Sequence, residues 1–312
     1  MTAAAVQRWS TARAGEHLRA PDAGSDKYRR GVLGIRTGST AYPGAAVLGV
    51  EAAWRTGIGM VRYAPPLGDA PPALGLPAPA AAVLAARPET VFVDGAHAAR
   101  CDAWLLGSGT DPGRRSFVER EALHSLFAGD TPLVVDAGAL YETVGADVRA
   151  PLVLTPHRGE FVALWVEAGL GDRPPGWPEG RDRAPDEAAL VAAASALAER
   201  LGATVLLKGS LTVSATPGGF RAVIGPATPW LAAAGTGDVL AGVLGALTAT
   251  HGAAVRSDPE LLGPLAASAA SLHDAAARSA SGDASAAVAG RPITALDVAH
   301  ALPDAIARAF AR

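Results

Sequence analysis

Short, almost fully apolar segments rich in β-branched residues alternate with longer segments of helical pattern along this 312-residue chain. Runs such as "PLVVDA" (132–137), "PLVLTP" (151–156) and "TVLLKGS" (204–210) lack period-two alternation, which is typical of strands buried on both faces of a parallel sheet. Because the helical segments lie between them with short links, right-handed crossovers and a doubly wound sheet follow. The sequence therefore predicts a three-layer α/β fold with one open, mostly parallel sheet.

The predicted elements cover most of the chain. Strands are expected at 31–35, 59–64, 90–94, 103–108, 132–137, 151–156, 204–210, 211–216 and 220–225, the last two as a hairpin at a sheet edge. Helices are expected at 43–57, 114–129, 184–202, 238–250, about 259–280 and 294–311, the last with Thr294 as its N-cap. Two Pro- and Gly-rich segments, 65–80 and 169–183, are predicted surface loops. We expect an N-terminal arm (1–26) and a single domain (27–312).

Composition excludes several classes of protein. A net charge of −3 and a pI near 6.2 argue against binding to nucleic acid or to a membrane surface. No segment has 18 apolar residues free of charge and glycine, and the first residues lack an apolar signal segment, so we expect a cytoplasmic protein without a membrane span. The single cysteine, Cys101, fits a reducing compartment and is expected to be buried.

Lysine is rare in this arginine-rich chain, which has only Lys27 and Lys208. Lys208 ends a predicted strand in "LLKGSLT" (206–212), where it either reaches a phosphate as a point charge or is an ordinary surface residue. Its retention in such a chain favours the first interpretation. Lys27, just before the first predicted strand, belongs either to a substrate flap or to a solvated arm.

Gly-rich turns and polar side chains follow several predicted strands, at the sheet edge where ligands bind in such folds. The segments "GVLGIRTGSTAYPGA" (31–45) and "LGSGTDPG" (106–113) are either ligand-binding loops or ordinary strand-to-helix turns. Asp136 either binds a metal through water or caps a helix. In "LTPHRGEF" (154–161), His157 alone is more typical of a structural or exposed residue, and Glu160 can complete a capping box with Thr155 or His157.

The segment "AAAGTGDVLAG" (232–242) carries the most chemistry. Gly235, Thr236 and Gly237 allow consecutive N–H groups to converge at the start of a helix, whose partial positive charge favours an anion there. Asp238 beside that anion is either a helix N-cap or a catalytic base. The small residues of "VLAGVLGALTA" indicate a closely packed helix, which favours a functional site.

A helix N-terminus is expected to lower the pKa of Asp238 and so to weaken it as a base. Phosphoryl transfer tolerates a weak base, because its loose transition state depends mainly on positioning and charge neutralisation. Acyl transfer and deprotonation of carbon do not. The anion cradle with its carboxylate therefore favours phosphorylation of a hydroxyl group.

Five segments occur in an order similar to that of ADP/ATP-dependent NAD(P)H-hydrate dehydratases, which are members of the ribokinase-like superfamily. They are "GSTAYPGAAVLGVEAAWRTGIGMV", "LTPHRGE", "LLKGSLT", "AAAGTGDVLAG" and "SLHDAAARSA" with "PITALDVAHALPDAIARA", and together they span roughly residues 27–311. The resemblance implies a ribokinase-like fold and repair of hydrated NADH or NADPH (NADHX, NADPHX). A phosphoryl group passes from ADP or ATP to the ring hydroxyl, phosphate leaves, and the reduced cofactor is restored.

The resemblance also implies roles for individual residues. Asp238 is the base toward the hydroxyl, and the cradle of Gly235, Thr236 and Gly237 holds the phosphoryl group. The adenine nucleotide is bound by Lys208, Gly209, Ser210, Leu211, Thr212 and Gly237. Contacts with the hydrated cofactor come from Ala45, Gly109, His157 and Asp238. Glu160 and Asp136 are expected to organise Mg²⁺ through water.

The chain departs from the family pattern at "RTGS" (36–39), at "DAG" (136–138), where Gly138 replaces a carboxylate, and at "PATPW" (226–230). It also lacks the N-terminal epimerase domain of many relatives, so we expect direct repair of the S epimer only. Relatives suggest a homotetramer. Two alternatives are a ribokinase-like thiazole or pyrimidine kinase, and a nucleotide-binding regulator without turnover.

Overall fold

The computed structural model describes residues 5–68, 75–95, 100–179, 183–283 and 290–311. Within these ranges one sheet has the strand order β1-β10-β9-β8-β7-β6-β5-β2-β3-β4. Its pairs are parallel except β8 with β9 and β9 with β10. The strands are Gln7–Arg8 (β1), Val32–Arg36 (β2), Met60–Tyr63 (β3), Val91–Phe92 (β4), Ala103–Leu106 (β5), Leu133–Val135 (β6), Leu152–Leu154 (β7), Thr204–Leu207 (β8), Thr212–Ala215 (β9) and Arg221–Ile224 (β10).

Helices cover both faces of the sheet, which makes the three predicted layers. They are Thr11–Gly15 (α1), Pro43–Thr56 (α2), Pro79–Ala86 (α3), Phe117–Phe127 (α4), Arg158–Glu167 (α5), Glu187–Leu201 (α6), Thr236–Thr250 (α7), Gly252–Ser257 (α8), Leu262–Ser281 (α9) and Ala295–Phe310 (α10). One apolar core joins α2, α7, α9 and α10 to the sheet, and a second core joins α4, α5 and α6 to the opposite face. The predicted α/β fold is confirmed.

The nine predicted strands are all present, shortened to their apolar centres. The predicted hairpin is β9 and β10, but its position at the edge was wrong, because β1 pairs in parallel with β10 and covers it. The predicted helices are present, and Thr294 caps α10 with a capping box. Helices α1, α3, α5 and α8 were not predicted. Helix α3 begins in the segment assigned to a loop, where Pro79 is its first residue.

Helix α7 lies against the sheet and against α2 with almost no side chain between the backbones. A Cβ at Gly242 would overlap the carbonyl oxygen of Gly49 on α2 and would lie 2.8 Å from Cβ of Ala52. A Cβ at Gly245 would lie 3.0 Å from Cδ2 of Leu33 on β2. The close packing expected from the small residues of this helix is therefore present.

The segment assigned to an N-terminal arm packs on the domain. Helix α1 contacts α9, and Nε1 of Trp9 donates a hydrogen bond to Oγ of Ser268, 3.1 Å away. The division of the chain at residue 26 stays a prediction. Across the described ranges, the helices are too short or too polar to cross a membrane.

Candidate active site

A cavity of about 520 Å³ opens beyond the carboxyl ends of β7 and β8, next to the first turn of α7. Its lining comprises His157, Lys208, Gly209, Ser210, Thr212, Ile224, Ala227, Thr228, Pro229, Leu231, Ala232, Thr236, Gly237, Leu240, Ala270, His273 and Asp274. Two charged groups, Lys208 and Asp274, lie among mostly small and apolar side chains. A cavity of this size and mixed lining is typical of a small-molecule site.

The first turn of α7 has the geometry expected of an anion cradle. Gly235 is the N-cap with a φ of 87°, in the left-handed region that favours glycine. The hydroxyl of Thr236 donates to the carbonyl oxygens of Leu231 and Ala233, which fixes the turn that precedes the helix. The N–H groups of the first turn have no acceptor within the helix. Thr236 and Gly237 line the cavity, so these donors are available to a ligand there.

Asp238 follows the cradle as the only acidic residue of the helix's first turn. Burial raises the pKa of its carboxyl group from 3.8 to about 6; the nearby Asp136 carboxylate adds to the rise, and Lys208 opposes it. The expectation that the helix terminus leaves Asp238 with a lowered pKa was wrong. Desolvation and a second carboxylate outweigh the helix dipole, and Asp238 is therefore a better base than the sequence indicated.

A network around Asp136 connects the ends of four adjacent strands, β5 to β8. The Asp136 carboxylate accepts hydrogen bonds from Oγ of Ser108 (2.9 Å), Oγ1 of Thr155 (2.7 Å) and Nζ of Lys208 (2.6 Å). Asp136 is 3% exposed. The predicted helix-capping role finds no support, because Asp136 precedes a short 3₁₀ helix without a side-chain cap hydrogen bond.

The amine of Lys208 points toward the cradle, because Nζ lies 3.7 Å from the position that a Cβ at Gly237 would occupy. Burial alone would lower the pKa of this amine, but the charges of Asp136, Glu160 and Asp238 outweigh burial and raise the pKa. Lys208 is thus a charged ammonium beside the predicted anion cradle, and its contact with a phosphate stays a prediction.

His157 and Glu160 form the capping box of α5. Nδ1 of His157 accepts from the N–H groups of Gly159 and Glu160, and a Glu160 carboxylate oxygen accepts from the His157 N–H at 2.7 Å. Of the two partners considered for Glu160, His157 is the one observed, while Thr155 bonds Asp136 instead. His157 is exposed and also lines the cavity.

The side chains around Asp136 and Glu160 do not form a metal site made of protein ligands alone. Both Asp136 oxygens are hydrogen-bonded to protein donors, one of them the Lys208 ammonium. Within the described part of the chain, no three His, Cys, Asp or Glu side chains come together as metal ligands. The predicted role of Glu160 and Asp136, organising Mg²⁺ through water, stays a prediction.

The other predicted residues fall on two sides of Asp238. Of the predicted nucleotide contacts, Gly209, Ser210 and Thr212 line the cavity together with Lys208 and Gly237, whereas Leu211 packs against the second apolar core.

Ala45 and Gly109 meet on the other side, where α2 begins. A Cβ at Gly109 would overlap Cβ of Ala45, and the φ of Gly109 is 67°. Leu48 on the same helix reaches the cradle, since its Cδ1 lies 2.6 Å from the Cβ position of Gly235. The predicted contacts for the two substrates thus flank the first turn of α7.

A buried ion pair supports the "RTGS" segment on the Ala45 side. Nε of Arg36 donates to one carboxylate oxygen of Glu119 at 2.9 Å, and Nη2 pairs with the other. Glu119 also accepts from the Leu67 N–H at 2.7 Å. Arg36 is 1% exposed and Glu119 is 5% exposed. This pair joins the end of β2 to helix α4 and to the loop at Leu67, next to the predicted substrate loop.

Sequence reasoning missed the outer wall of the cavity. Asp274 accepts from the Thr228 N–H at 2.7 Å, and Asp283 accepts from Oγ1 of Thr228 at 2.9 Å. Arg278 bonds both carboxylates. The network anchors the "PATPW" segment, and its charged members at 274 and 278 lie one helical turn apart, a spacing that could have indicated a shared role.

His273 lies in the same wall and contacts the cradle from below. Its ring hydrogen-bonds the backbone of Thr236, and burial lowers its pKa to about 4. Nε2 has no hydrogen-bond partner among the described residues. At neutral pH the ring is therefore uncharged and adds no positive charge to the cavity.

Comparison with known proteins assigns residues 33–302 to the family described as NAD(P)H-hydrate dehydratase. A bifunctional NAD(P)H-hydrate repair enzyme of Mycobacterium tuberculosis is 42% identical over 240 residues, which cover 74% of this chain and 43% of that enzyme. The ADP-dependent (S)-NAD(P)H-hydrate dehydratase of Xanthomonas campestris is 34% identical over 237 residues, 73% of this chain and 76% of that protein.

Among solved structures, the ADP/ATP-dependent NAD(P)H-hydrate dehydratase of Bacillus subtilis, co-crystallised with ATP and Mg²⁺, matches with a TM-score of 0.74. The match covers 97% of this chain and 99% of that one at 24% identity, so it supports the fold. This chain spans less than half the length of the bifunctional repair enzymes that it matches.

Proposed function

Because the chain belongs to the NAD(P)H-hydrate dehydratase family, we propose that it dehydrates the S epimer of NADHX or NADPHX at the expense of ADP or ATP. The observation that carries the proposal is the position of the Asp238 carboxylate, in the first turn of α7 directly after the cradle glycines that Lys208 also approaches; burial raises its pKa to about 6. A carboxylate of that pKa is ionised at neutral pH and is a stronger base than an exposed aspartate.

The first step is transfer of the terminal phosphoryl group to the hydroxyl on the hydrated nicotinamide ring. A carboxylate oxygen of Asp238 accepts the hydroxyl proton while the ring oxygen forms its bond to phosphorus and the bridging oxygen of the nucleotide leaves. Ala45 and Gly109 hold the ring on one side of Asp238, and the cavity holds the nucleotide on the other.

The cradle stabilises the charge of the transferred group. The N–H groups of the cradle residues Gly235, Thr236 and Gly237 and the partial charge of the α7 N-terminus are expected to bind the phosphoryl oxygens, and the nearby Lys208 ammonium to neutralise them. These groups are fixed before the nucleotide binds, so no reorganisation is needed during transfer.

The second step is elimination. Phosphate leaves with the carbon–oxygen bonding electrons while the ring nitrogen lone pair forms a double bond to that carbon, and loss of a proton from the neighbouring carbon restores the dihydronicotinamide. Phosphate is a much better leaving group than hydroxide, which explains why a dehydration consumes a nucleotide. AMP and phosphate are the other products when ADP is the donor.

Mg²⁺ enters no step of this proposal. When bound with the nucleotide phosphates it would supply further charge neutralisation, with Glu160 as the predicted ligand through water.

We also propose a cytoplasmic homotetramer. The support for a reducing compartment is that the chain has one cysteine, Cys101, so the fold uses no disulfide within the chain.

The alternative functions are less well supported. A thiazole or pyrimidine kinase would share the cradle and Asp238, but the family match extends over residues 33–302 and includes the Ala45 and His157 segments. A regulator without turnover would not need a carboxylate of raised pKa beside the phosphoryl site.

The test is incubation of the purified protein with S-NADHX and ADP or ATP in parallel. Absorbance at 340 nm should rise, with one phosphate and one AMP formed for each NADH when ADP is the donor. The R epimer is the matched control and should react only after it epimerises. Binding of both ligands without phosphate release would favour the regulator, and phosphorylation of a thiazole or pyrimidine alcohol alone would favour the kinase.

A further inference from the structure

Both oxygens of the Asp136 carboxylate accept hydrogen bonds from the protein itself. Its two oxygens accept from Ser108, Thr155 and Lys208 at 2.6 to 2.9 Å. The three donors follow three different strands: Ser108 follows β5 and Thr155 follows β7, the two neighbours of β6, and Lys208 follows β8, one strand further. At 3% exposure it has no free face toward solvent.

This arrangement is unsuited to a divalent cation. A metal ion bound directly to Oδ1 of Asp136 would displace Thr155 and lie within a few ångströms of the Lys208 ammonium, and like charges so close repel strongly in a buried site; Oδ2 already accepts from Ser108. Gly138, which stands where the family pattern has a second carboxylate, supplies no ligand to compensate.

The same arrangement is well suited to directing a lysine. The Lys208 side chain is long and flexible, and its charge is useful to the phosphoryl group only if Nζ is kept near the cradle. Asp136 fixes Nζ at 2.6 Å, and Nζ then lies 3.7 Å from the Cβ position of Gly237. Thr155 and Ser108 in turn fix the carboxylate.

We propose that Asp136 is a positioning residue which holds the Lys208 ammonium against the transferred phosphoryl group, and that it is not a magnesium ligand. The inference rests on the proposed function for the identity of the phosphoryl donor. Ser108 and Thr155 orient Asp136, and the fixed ammonium supplies at this position the charge that a metal would otherwise supply.

The chain offers a direct test because it has only two lysines. Protein labelled with ¹³C at lysine Cε gives two NMR signals, and Lys208→Arg identifies which belongs to Lys208. Lys27, whose amine lies 5.2 Å from the ring centre of Tyr28, is the internal reference.

If Asp136 positions the lysine, Mg²⁺ alone leaves both signals in place, ADP in excess EDTA moves only the Lys208 signal, and Asp136→Asn moves only the Lys208 signal. A Lys208 signal that moves with Mg²⁺ alone in the wild type but not in Asp136→Asn would overturn the proposal. None of these measurements requires turnover, so they are independent of whether NADHX is the substrate.

Kinetics give a second readout. Asp136→Asn should lower kcat and leave the Mg²⁺ concentration for half-maximal rate unchanged, whereas loss of a metal ligand would raise that concentration at least ~10-fold. If Asp136→Asn does not fold, Thr155→Val and Ser108→Ala take its place, since each removes a donor that orients the Asp136 carboxylate and should therefore shift the Lys208 amine. A Lys208 signal identical to wild type in both variants would also refute the inference.

Discussion

The charge of Asp238 is expected to destabilise the folded protein at neutral pH. The pKa of this carboxyl group is about 6 in the folded protein and 3.8 as an ordinary aspartate. The folded state therefore holds the proton more tightly than the unfolded state, and stability falls as pH rises from about 4 to about 6. A difference of about two pKa units corresponds to about 3 kcal/mol, fully lost above about pH 6.

Asp238→Asn removes the charge and keeps the size of the side chain. The variant should exceed the wild type in free energy of unfolding by up to about 3 kcal/mol at about pH 7.5, and the two should nearly coincide at about pH 4. Its turnover should fall at least ~100-fold because the base is lost. Greater stability together with lost activity would show that the Asp238 carboxylate serves activity at the cost of folding stability.

Urea unfolding followed by tryptophan fluorescence at several pH values measures the difference, with the free energy extrapolated linearly to water. Asp147→Asn, which removes a carboxylate whose side chain is 78% exposed, is the matched control for loss of one negative charge. The reasoning is refuted if the Asp238→Asn difference stays constant across this pH range, or if the variant retains wild-type turnover.

Three further outcomes are expected. The kcat/KM of the wild type should rise with pH around a midpoint near 6, because Asp238 must be ionised to accept a proton; a rate independent of pH between about 5 and 7 would contradict this. Gly235→Ala should lower stability by about 1–3 kcal/mol and lower activity, because φ is 87° and the new Cβ would lie 2.6 Å from Leu48 Cδ1; thermal unfolding identical to wild type would contradict it. Arg36→Met should cost about 3–5 kcal/mol by leaving Glu119 buried and unpaired, and the double variant with Glu119→Leu should recover much of that loss in urea unfolding; a double variant no more stable than Arg36→Met would argue against the unpaired charge as the cause.

The sheet could be predicted from the sequence because its strands are continuous apolar runs, a pattern with few structural solutions. Helix α5 was missed because "RGEFVALWVE" contains one continuous apolar run, FVALWV, which has no helical periodicity. The edge strand Gln7–Arg8 was missed because two polar residues give no strand signal. Its pairing with β10 accompanies the packing of Trp9 into the domain, and this contact between distant parts of the chain cannot be read from the local sequence.

The cradle and Lys208 could be identified because glycine conformation and a rare lysine are local signals. The raised pKa of Asp238 could not be predicted, because it comes from burial and from the charge of Asp136, which follows strand β6, far from Asp238 in the chain. The partners of Asp136 and the anchoring of Thr228 by Asp274 and Asp283 also depend on which strand and helix ends meet in space. Local sequence gives the residue types at those ends but not their pairing.

The contact between Gly242 and Gly49 brings α7 and α2 together at backbone distance. Helix α2 starts near Ala45 and α7 carries Asp238, so in the proposed reaction the spacing between the adenine-nucleotide site and the ring hydroxyl depends on peptide groups in direct contact rather than on the volumes of interdigitating side chains. A methyl group added at position 242 would wedge the two helices apart and lengthen the path of the migrating phosphorus.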